Sequence, residues 1–268
     1  MAKQEDSLPP NARTVAIGAG GRSSEWQIPE EVPVAFVYNR RNYAVMLATP
    51  DNLKDFAVGF SLSERIVQSL DQIKDIYVKT SSQGAELHIT IAEDRLERLD
   101  IIQRRRNMVG RAGCGLCGLE NAESFFETLP PVADQPLALA PELLKTAADR
   151  FFQHQPLNQQ TRTVHGAGFV SLTSGIVNIR EDIGRHNALD KLLGACAHDQ
   201  TDMTEGFVLM SSRCSYEIVE KSARLGVRAI ASLSAPTAFA VRKAAEARIS
   251  LYCRSGDQFV HIRHTETE

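Results

Sequence analysis

The sequence lacks any hydrophobic run long enough to cross a membrane. An apolar stretch from Ala229 to Val241 is interrupted by serine, proline and threonine, whereas a membrane-spanning helix needs about 18 or more consecutive apolar residues. The first residues, Met-Ala-Lys-Gln-Glu-Asp, contain no apolar segment of the kind found in a secretory signal. These absences predict a cytoplasmic protein with no membrane span.

The sequence also has few cysteines and little net charge. Five cysteines in 268 residues are too few, and odd in number, for a disulfide-stabilised scaffold, so we expect reduced thiols. The 30 Lys and Arg against 33 Asp and Glu residues give a formal charge of −3, which excludes a globally basic nucleic-acid-binding protein. The hydrophobic fraction of 43% and the charged fraction of 24% are typical of folded globular proteins.

Composition and hydrophobic periodicity divide the chain into four segments. Prolines and a Gly-Ala-Gly-Gly run mark the first, and a glycine-rich loop with two cysteines separates two parts of regular pattern. The segments are a flexible tail (1–28), an N-terminal α+β part (29–108), a mobile cysteine loop (109–120) and a C-terminal α/β domain (121–268).

The N-terminal part is predicted to contain a hairpin, a strand and two helices. Two β-rich runs flank an Asn-Arg-Arg-Asn turn within residues 32–49, which favours a hairpin. A helix is expected to begin with Pro50 as its first residue. Apolar and polar residues alternate over 85–91, as in a half-buried strand, and residues 93–106 have a helical pattern.

The C-terminal domain alternates short strands with helices. The strand candidates are 175–179, 207–210, 227–233 and 249–253, and the helix candidates between them are 187–197, 216–225 and 237–247. Short connections in such an alternation imply right-handed crossovers and at least partly parallel pairing. The predicted fold class is therefore α/β.

Two cysteines in the glycine-rich loop are the first candidate for chemistry. Glycines precede, separate and follow Cys114 and Cys117, which leaves the thiols little cover, and four arginines nearby favour the thiolate. A nucleophilic or persulfide-carrying thiol is our first interpretation. Structural zinc and a thioredoxin-type disulfide stay open, although zinc would need two further ligands and the sequence has no second Cys-x-x-Cys or His pair.

Three polar segments follow predicted strands and precede helices. They are Arg-Glu-Asp-Ile-Gly-Arg-His-Asn-Ala-Leu-Asp-Lys (180–191), Ser-Ser-Arg-Cys-Ser (211–215) and Ser-Ala-Pro-Thr (234–237). Because α/β sheets bind ligands beyond the carboxyl ends of their strands, these segments would line one crevice. Free N–H groups together with Arg185 and Arg213 would suit a phosphate. A solvated charge run and ordinary helix caps are the alternatives, and a structural role is expected for His165.

These motifs resemble those of the formate dehydrogenase accessory sulfurtransferase family. The resemblance runs from about residue 31 to 262, and its matching pieces are Ala48-Thr49-Pro50, Phe56–Phe60 with Glu64, Cys114–Gly118, Glu181–Lys191 and Ser234–Thr237. It implies a C-terminal three-layer unit with a mixed sheet that resembles cytidine deaminase. It also implies that sulfur is taken from a cysteine desulfurase as a persulfide and passed to the molybdenum cofactor that formate dehydrogenase needs.

The resemblance further implies partners and site residues. Cys114 would carry the sulfur, with Cys117 as a helper or resolving thiol. No cofactor would be permanently bound, since molybdenum bis(molybdopterin guanine dinucleotide) is the substrate, and a homodimer that meets the desulfurase and the formate dehydrogenase apoenzyme is expected. The cofactor-binding residues would be Arg185, Arg213, Ser234, Thr237, Cys253, Arg254, Ser255, Gly256, Asp257 and Gln258.

Within that set, residues 253–258 have two interpretations. Arg254 could meet a phosphate, and the Asp257 carboxylate matches the N–H donors of guanine. The alternative is an ordinary hairpin turn at Ser255-Gly256. The chain departs from the family pattern at Arg162 and Thr163, where glycines are expected, and at Ser212, where one glycine is expected.

Two other functions stay open. A zinc deaminase on the same fold needs His-x-Glu and a later Pro-Cys-x-x-Cys, whereas His165 is followed by Gly-Ala and the Cys-x-x-Cys precedes it. A non-catalytic chaperone would bind the molybdenum cofactor without sulfur chemistry. Sulfur bound to Cys114 would distinguish the sulfurtransferase from that chaperone.

Overall fold

A computed structural model describes residues 8, 11–19, 22–96, 99 and 128–264. Its strands are β1 (Ala12–Ala19), β2 (Arg22–Pro29), β3 (Val32–Tyr38), β4 (Arg41–Ala48), β5 (Ile73–Ser81), β6 (Gly84–Ile91), β7 (His165–Ser171), β8 (Gly175–Asp182), β9 (Gly206–Met210), β10 (Ala229–Ser232), β11 (Ser250–Ser255) and β12 (Gln258–Ile262). Its helices are α1 (Leu53–Ser63), α2 (Pro141–Phe151), α3 (Pro156–Thr161), α4 (Arg185–His198), α5 (Tyr216–Arg224) and α6 (Ala238–Glu246). Within these residues, no helix is both long and apolar enough to span a membrane.

The first two strands differ from the flexible tail predicted for residues 1–28. β1 and β2 form an antiparallel hairpin in which Ala12 pairs with Pro29 and Ala19 with Arg22. Two glycines separate the strands in the sequence, a signal that favours a hairpin turn. The prediction that this segment lacks regular structure is therefore wrong for residues 12–19 and 22–28.

The N-terminal part combines a four-stranded sheet with helix α1. The strand order is β4-β3-β6-β5, with β3 and β6 parallel and the other pairs antiparallel. One face of the sheet packs against α1 through aromatic contacts, in which the ring of Phe36 lies 4.2 Å from that of Phe60 and 5.0 Å from that of Phe56. The predicted hairpin over residues 32–49 and the strand over 85–91 are both present.

Helix α1 begins three residues later than predicted. Its N-cap is Asn52, in the left-handed conformation with φ 53°. The delay has a cause outside the segment, because the N–H and carbonyl of Thr49 are both held by residues of the C-terminal domain, Asp182 and Lys191. Pro50 is thereby kept out of the helix. Of the helix predicted over 93–106, the structure describes a 3₁₀ turn at Glu93–Arg95 followed by residues 96 and 99.

The C-terminal domain has three layers, as predicted. Its sheet has the order β12-β11-β10-β9-β7-β8. β9, β10 and β11 are parallel, whereas β7 and β12 run antiparallel to their neighbours. Helices α4, α5 and α6 cover one face of this mixed sheet, and α2 covers the other. The boundary predicted at residues 109–120 lies outside the described residues.

Two glycines let the N-terminal part pack closely against the C-terminal domain. A Cβ atom on Gly59 of α1 would lie 1.7 Å from the carbonyl oxygen of Asp190, and one on Gly194 of α4 would lie 1.9 Å from that of Asp55. Neither distance leaves room for a side chain, so α1 and α4 touch backbone to backbone. This contact fixes the position of the helix that carries much of the acidic and basic motif.

Candidate functional site

The three polar segments meet at one edge of the C-terminal sheet. β8, β9, β10 and β11 run in the same direction, so their carboxyl ends share this edge, and β7 begins there with His165. A hydrogen bond from Thr237 N to Cys214 O (3.0 Å) joins two of the segments, and one from Gly166 N to Ser211 Oγ (2.8 Å) joins the start of β7 to them. We call His165, Arg185, His186, Ser211–Ser215 and Ser234–Thr237 the strand-end site. That it binds a ligand stays a prediction.

Half of the acidic and basic motif is buried rather than available to a ligand. The fully buried Asp182 carboxylate accepts hydrogen bonds from Thr49 N (3.0 Å), Gly184 N (2.8 Å) and Asn187 Nδ2 (3.0 Å). It also pairs with the fully buried ammonium of Lys191 at 2.7 Å. Buried charges are tolerated where they are paired and hydrogen-bonded, which corrects the interpretation of this segment as a solvated charge run.

A second buried cluster joins α1, α4 and α5. Asp190 Oδ2 lies 2.9 Å from Lys221 Nζ, and Ser63 Oγ donates to Asp190 Oδ1 at 2.6 Å. Glu64 adds a further contact to Lys221 at 3.0 Å. Burial opposes the charge on Lys221, but the carboxylates of Asp190 and Glu64 outweigh it and raise the pKa of the ammonium. Glu64 and the motif residues Asp190 and Lys191 are therefore part of the scaffold of the strand-end site.

The arginines predicted to meet a phosphate are placed where a ligand can reach them. Arg213 is exposed, and Arg185 is half-buried at the start of α4. The Nε atom of Arg185 is buried and makes no hydrogen bond to any described residue. An unsatisfied buried donor carries a free-energy cost, which a phosphate oxygen would remove. In the same site, Ser234 is half-buried and Thr237 is exposed, with Thr237 capping α6 through its hydroxyl.

A histidine–glutamate–serine cluster in the strand-end site was missed by sequence reasoning. His186 Nε2 lies 2.8 Å from Glu217 Oε2 and 3.4 Å from Ser215 Oγ, and Ser215 Oγ lies 3.1 Å from Glu217 Oε2. Burial would raise the pKa of Glu217, but the hydrogen bonds from His186 and Ser215 and the charge of Arg185 lower it overall. His186 lies in the acidic and basic motif at residues 180–191, whereas only the order of the strands brings Glu217 next to it.

His165 belongs to the strand-end site and not only to the structural core. It is half-buried at the start of β7. Burial and the nearby positive charge of Arg185 lower its pKa, which favours the neutral imidazole. Arg162 stands where the family pattern has a glycine. It ends α3 in the left-handed conformation with φ 57°, which is a backbone conformation typical of glycine.

Residues 253–258 form the tip of the β11–β12 hairpin at the same sheet edge. Ser255 pairs with Gln258, and Gly256 supplies the positive φ of 60° that two-residue hairpin turns require. Arg254 Nε donates to the carbonyl of Gly256 at 3.0 Å, and Asp257 is exposed. The backbone thus has the hairpin turn of the alternative interpretation. Contacts of Arg254 and Asp257 with a nucleotide stay a prediction.

The two candidate sulfur-carrying cysteines, Cys114 and Cys117, lie outside the described residues, as does the mobile loop predicted around them. The other three cysteines are buried. Burial raises the pKa of the Cys196 and Cys214 thiols to about 12 and also raises that of Cys253. Thiols of this kind are poor nucleophiles at neutral pH.

The burial and the raised pKa values of Cys196, Cys214 and Cys253 predict that these three thiols resist alkylation in the native protein. Iodoacetamide at pH 8 is expected to leave Cys196, Cys214 and Cys253 unmodified until the protein is unfolded, because their thiolates are scarce and covered. Peptide mass spectrometry before and after unfolding reports each site separately. Modification of Cys214 in the native protein at the rate of a free small-molecule thiol would contradict the burial described above.

Two clefts in the described part of the chain lie away from the strand-end site. One, of about 490 Å³, lies between residues 49–52, the 154–160 segment and β8. The other, of about 400 Å³, lies between α6 and the end of β12. Neither is lined by Arg185, Arg213 or Ser234. Both clefts therefore lie apart from the strand-end site.

A three-layer mixed sheet with polar segments at its strand ends is typical of α/β proteins, many of which bind ligands at that edge. Comparison with known proteins gives the family. The model of the FdhD/NarQ family matches residues 29–265, and the chain belongs to this family.

Relatives match nearly the whole length of the chain. The sulfur carrier protein FdhD of Xanthomonas oryzae pv. oryzae is 44% identical over 93% of this chain and 89% of its own length. That of Cupriavidus necator is 42% identical over 96% of this chain and 90% of its own length. A crystal structure of a protein assigned as a formate dehydrogenase accessory protein from Desulfotalea psychrophila has a TM-score of 0.73 at 22% identity, covering 96% of this chain and 99% of that one. This last similarity shows the fold alone.

Proposed function

We propose that this protein is a cytoplasmic sulfurtransferase that serves formate dehydrogenase. It accepts sulfur from a cysteine desulfurase as a persulfide on Cys114 and passes it to molybdenum bis(molybdopterin guanine dinucleotide). The observation that carries this proposal is the 44% identity, over 93% of the chain, to a protein named as a sulfur carrier. The Cys114-Gly-Leu-Cys117-Gly segment supplies the thiols that such a carrier needs.

Loading is a thiol–persulfide exchange. The Cys114 thiolate attacks the terminal sulfur of the desulfurase persulfide, and a new S–S bond forms on Cys114. The S–S bond within the desulfurase persulfide breaks, and the desulfurase cysteine leaves as a thiolate. The arginines at 104–106 and 111 favour the attacking thiolate by their positive charge.

Delivery requires that the carried sulfur be reduced to sulfide. The Cys117 thiolate attacks the inner sulfur of the Cys114 persulfide, a Cys114–Cys117 disulfide forms, and hydrosulfide leaves. Hydrosulfide, with one added proton, then replaces an oxo ligand of molybdenum, and the oxygen departs as water. The two electrons come from the two thiols, so a cellular dithiol must reduce the disulfide before the next cycle.

The strand-end site would hold the substrate by its nucleotide arms. Arg185, with its unpartnered buried Nε, and the exposed Arg213 offer guanidinium donors for a diphosphate. Arg254 and Asp257 at the hairpin tip extend the same edge and would meet phosphate and guanine. A homodimer, with one site in each chain, completes the proposal.

Titration with guanosine diphosphate tests the binding part of this proposal. Arg185→Ala and Arg213→Ala are each expected to weaken binding by about 10- to 150-fold, since a charge-assisted hydrogen bond contributes about 1.5–3 kcal/mol. Arg228→Ala is the matched control, because Arg228 precedes β10 and so lies at the opposite edge of the sheet. Unchanged affinity in both Arg185→Ala and Arg213→Ala would exclude this site, and the same result in Arg254→Ala and Asp257→Ala would remove the hairpin tip from it.

Delivery is tested with sulfur-loaded protein and the isolated molybdenum cofactor. Mass spectrometry of the Cys114 peptide follows the persulfide over time. The persulfide is expected to disappear faster when the cofactor is added, and a Cys114–Cys117 disulfide should appear in its place. A chaperone without sulfur chemistry would bind guanosine diphosphate equally well but would carry no persulfide to lose.

A further inference from the structure

The cleft between α6 and the end of β12 has an apolar floor. Its volume is about 400 Å³, which is within the range of clefts that hold small molecules. Six apolar residues line it, namely Pro136, Val241, Ala244, Ala245, Ile249 and Ile262. Ala244 and Ile249 are buried, and Val241 and Ile262 pack partly buried against the same core cluster. The floor of the cleft is therefore continuous with the hydrophobic core of the C-terminal domain.

The rim of this cleft carries positive charge. Arg248 follows α6 and Arg263 follows β12, and both are exposed, whereas none of the described residues that line the cleft is Asp or Glu. Arg248 Nη1 donates to the carbonyl of Asp134 at 3.0 Å, and Arg263 Nε lies 3.5 Å from His261 Nδ1. Burial and the charge of Arg263 lower the pKa of His261, which favours the neutral imidazole. Within the described residues, both guanidiniums thus bond to uncharged groups, and their charge is available to an anion.

An apolar floor below a cationic rim is complementary to an amphipathic anion. Each CH₂ group that leaves water for the floor favours binding, and a guanidinium binds a carboxylate or a phosphate through two parallel hydrogen bonds. A purely polar anion would leave the floor in contact with water, and a neutral apolar molecule would leave the two guanidiniums without a counter-ion. We propose that this cleft binds a small molecule made of an apolar chain and one terminal carboxylate or phosphate group.

The cleft lies at the opposite edge of the C-terminal sheet from the strand-end site. β11 begins at the cleft with Ser250, and β12 ends beside it, since Leu251 pairs with Ile262. The tip of the same hairpin, at residues 255–258, lies at the strand-end edge. The binding of an amphipathic anion here does not depend on the proposed function, and guanosine diphosphate is not expected to compete for the cleft.

Equilibrium dialysis of the full-length protein with radiolabelled octanoate and octyl phosphate tests the proposal. Each chain is expected to bind one molecule of at least one probe, and the comparison of the two shows which head group is preferred. Shortening the chain of the bound probe by two CH₂ groups should weaken binding about tenfold. Acetate, inorganic phosphate and guanosine diphosphate should not displace the probe, because none of them has an apolar chain that can cover the floor.

Two variants locate the bound probe. Arg248→Gly removes one charge from the rim without straining the backbone, because Arg248 has φ 55°, in the left-handed region that favours glycine. It should weaken binding by about 10- to 150-fold through the loss of charge-assisted hydrogen bonds. Arg162→Gly is the matched control, since Arg162 has φ 57° at the end of α3 and does not line the cleft. Ala245→Phe fills the cleft and should abolish binding, while circular dichroism shows that the variant is folded.

Three results would overturn the proposal. The first is the absence of saturable binding of both probes, and the second is equal affinity in the unmodified protein, Arg248→Gly and Ala245→Phe. The third is binding that appears only when the chain is shortened to end at His264, which would show that residues 265–268, Thr-Glu-Thr-Glu, occupy the cleft instead. None of these results bears on the loading of Cys114 or on guanosine diphosphate at the strand-end site, so failure here is distinct from failure of the proposed function.

Discussion

Replacing Lys191 by methionine is expected to lower the free energy of unfolding by about 3–5 kcal/mol, because it leaves the Asp182 carboxylate buried without its counter-ion. Lys191 Nζ lies 2.7 Å from Asp182 and 2.9 Å from the carbonyl of Thr49, and both charged side chains are fully buried. The change would therefore loosen the connection between the N-terminal part and the strand-end site as well as the core. Urea unfolding followed by circular dichroism measures the effect.

Two further variants show whether the pairing is the cause. Lys145→Met is the matched control, since Lys145 pairs with Asp149 at 2.7 Å on the exposed surface of α2, where such a pair contributes at most about 1 kcal/mol. Combining Lys191→Met with Asp182→Asn removes the uncompensated charge and should recover part of the loss. Equal stabilities for Lys191→Met and Lys145→Met would contradict the buried ion pair.

The second large effect is expected from a single added methyl group. Gly194→Ala should lower the free energy of unfolding by about 3 kcal/mol or more, because the new Cβ would lie 1.9 Å from the carbonyl oxygen of Asp55 and must force α1 and α4 apart. The direction is diagnostic, since Gly→Ala in an exposed helix normally stabilises by about 1 kcal/mol. Urea unfolding of the purified variant measures it.

Gly226→Ala is the control for the added methyl group itself. Gly226 has φ +77°, and no heavy atom lies within 4 Å of the place that a Cβ atom would occupy, so its substitution carries only the cost of a left-handed backbone, about 1–2 kcal/mol. A Gly194→Ala protein as stable as Gly226→Ala would show that the added methyl group between the two helices costs no more than a strained backbone does. The statement that α1 and α4 touch backbone to backbone would then be wrong.

The layers of the C-terminal domain were predictable because the pattern is local. Strands and helices of the alternating half end at residues where hydrophobic periodicity ends, so the helix predicted over 216–225 is found at Tyr216–Arg224 and the strand over 207–210 at Gly206–Met210. The direction of the strands then follows from the short connections. This is enough to place the three polar segments at one edge of the sheet.

What could not be predicted depends on contacts between distant residues. The late start of α1 reflects the hold of Asp182 on Thr49, 133 positions away in the sequence. The burial of Asp190 depends in the same way on Lys221. The density of charged residues in the motif indicated solvent exposure. Only the ion pairs that form in the tertiary structure allow Asp190 and its neighbours to be buried. No sequence motif pointed to Glu217, because only the tertiary structure brings it to His186, which lies on another helix.

The most direct test of the proposed function is the mass of the Cys114 peptide after incubation with a cysteine desulfurase and cysteine. The protein is expected to gain one sulfur on Cys114, and a thiol reductant should remove it. Cys214→Ala serves as the matched control, since it removes a buried thiol, and it should load fully. Loading of Cys114→Ala to the same extent as the unmodified protein, or no added sulfur in either, would contradict the role of Cys114 as the sulfur carrier.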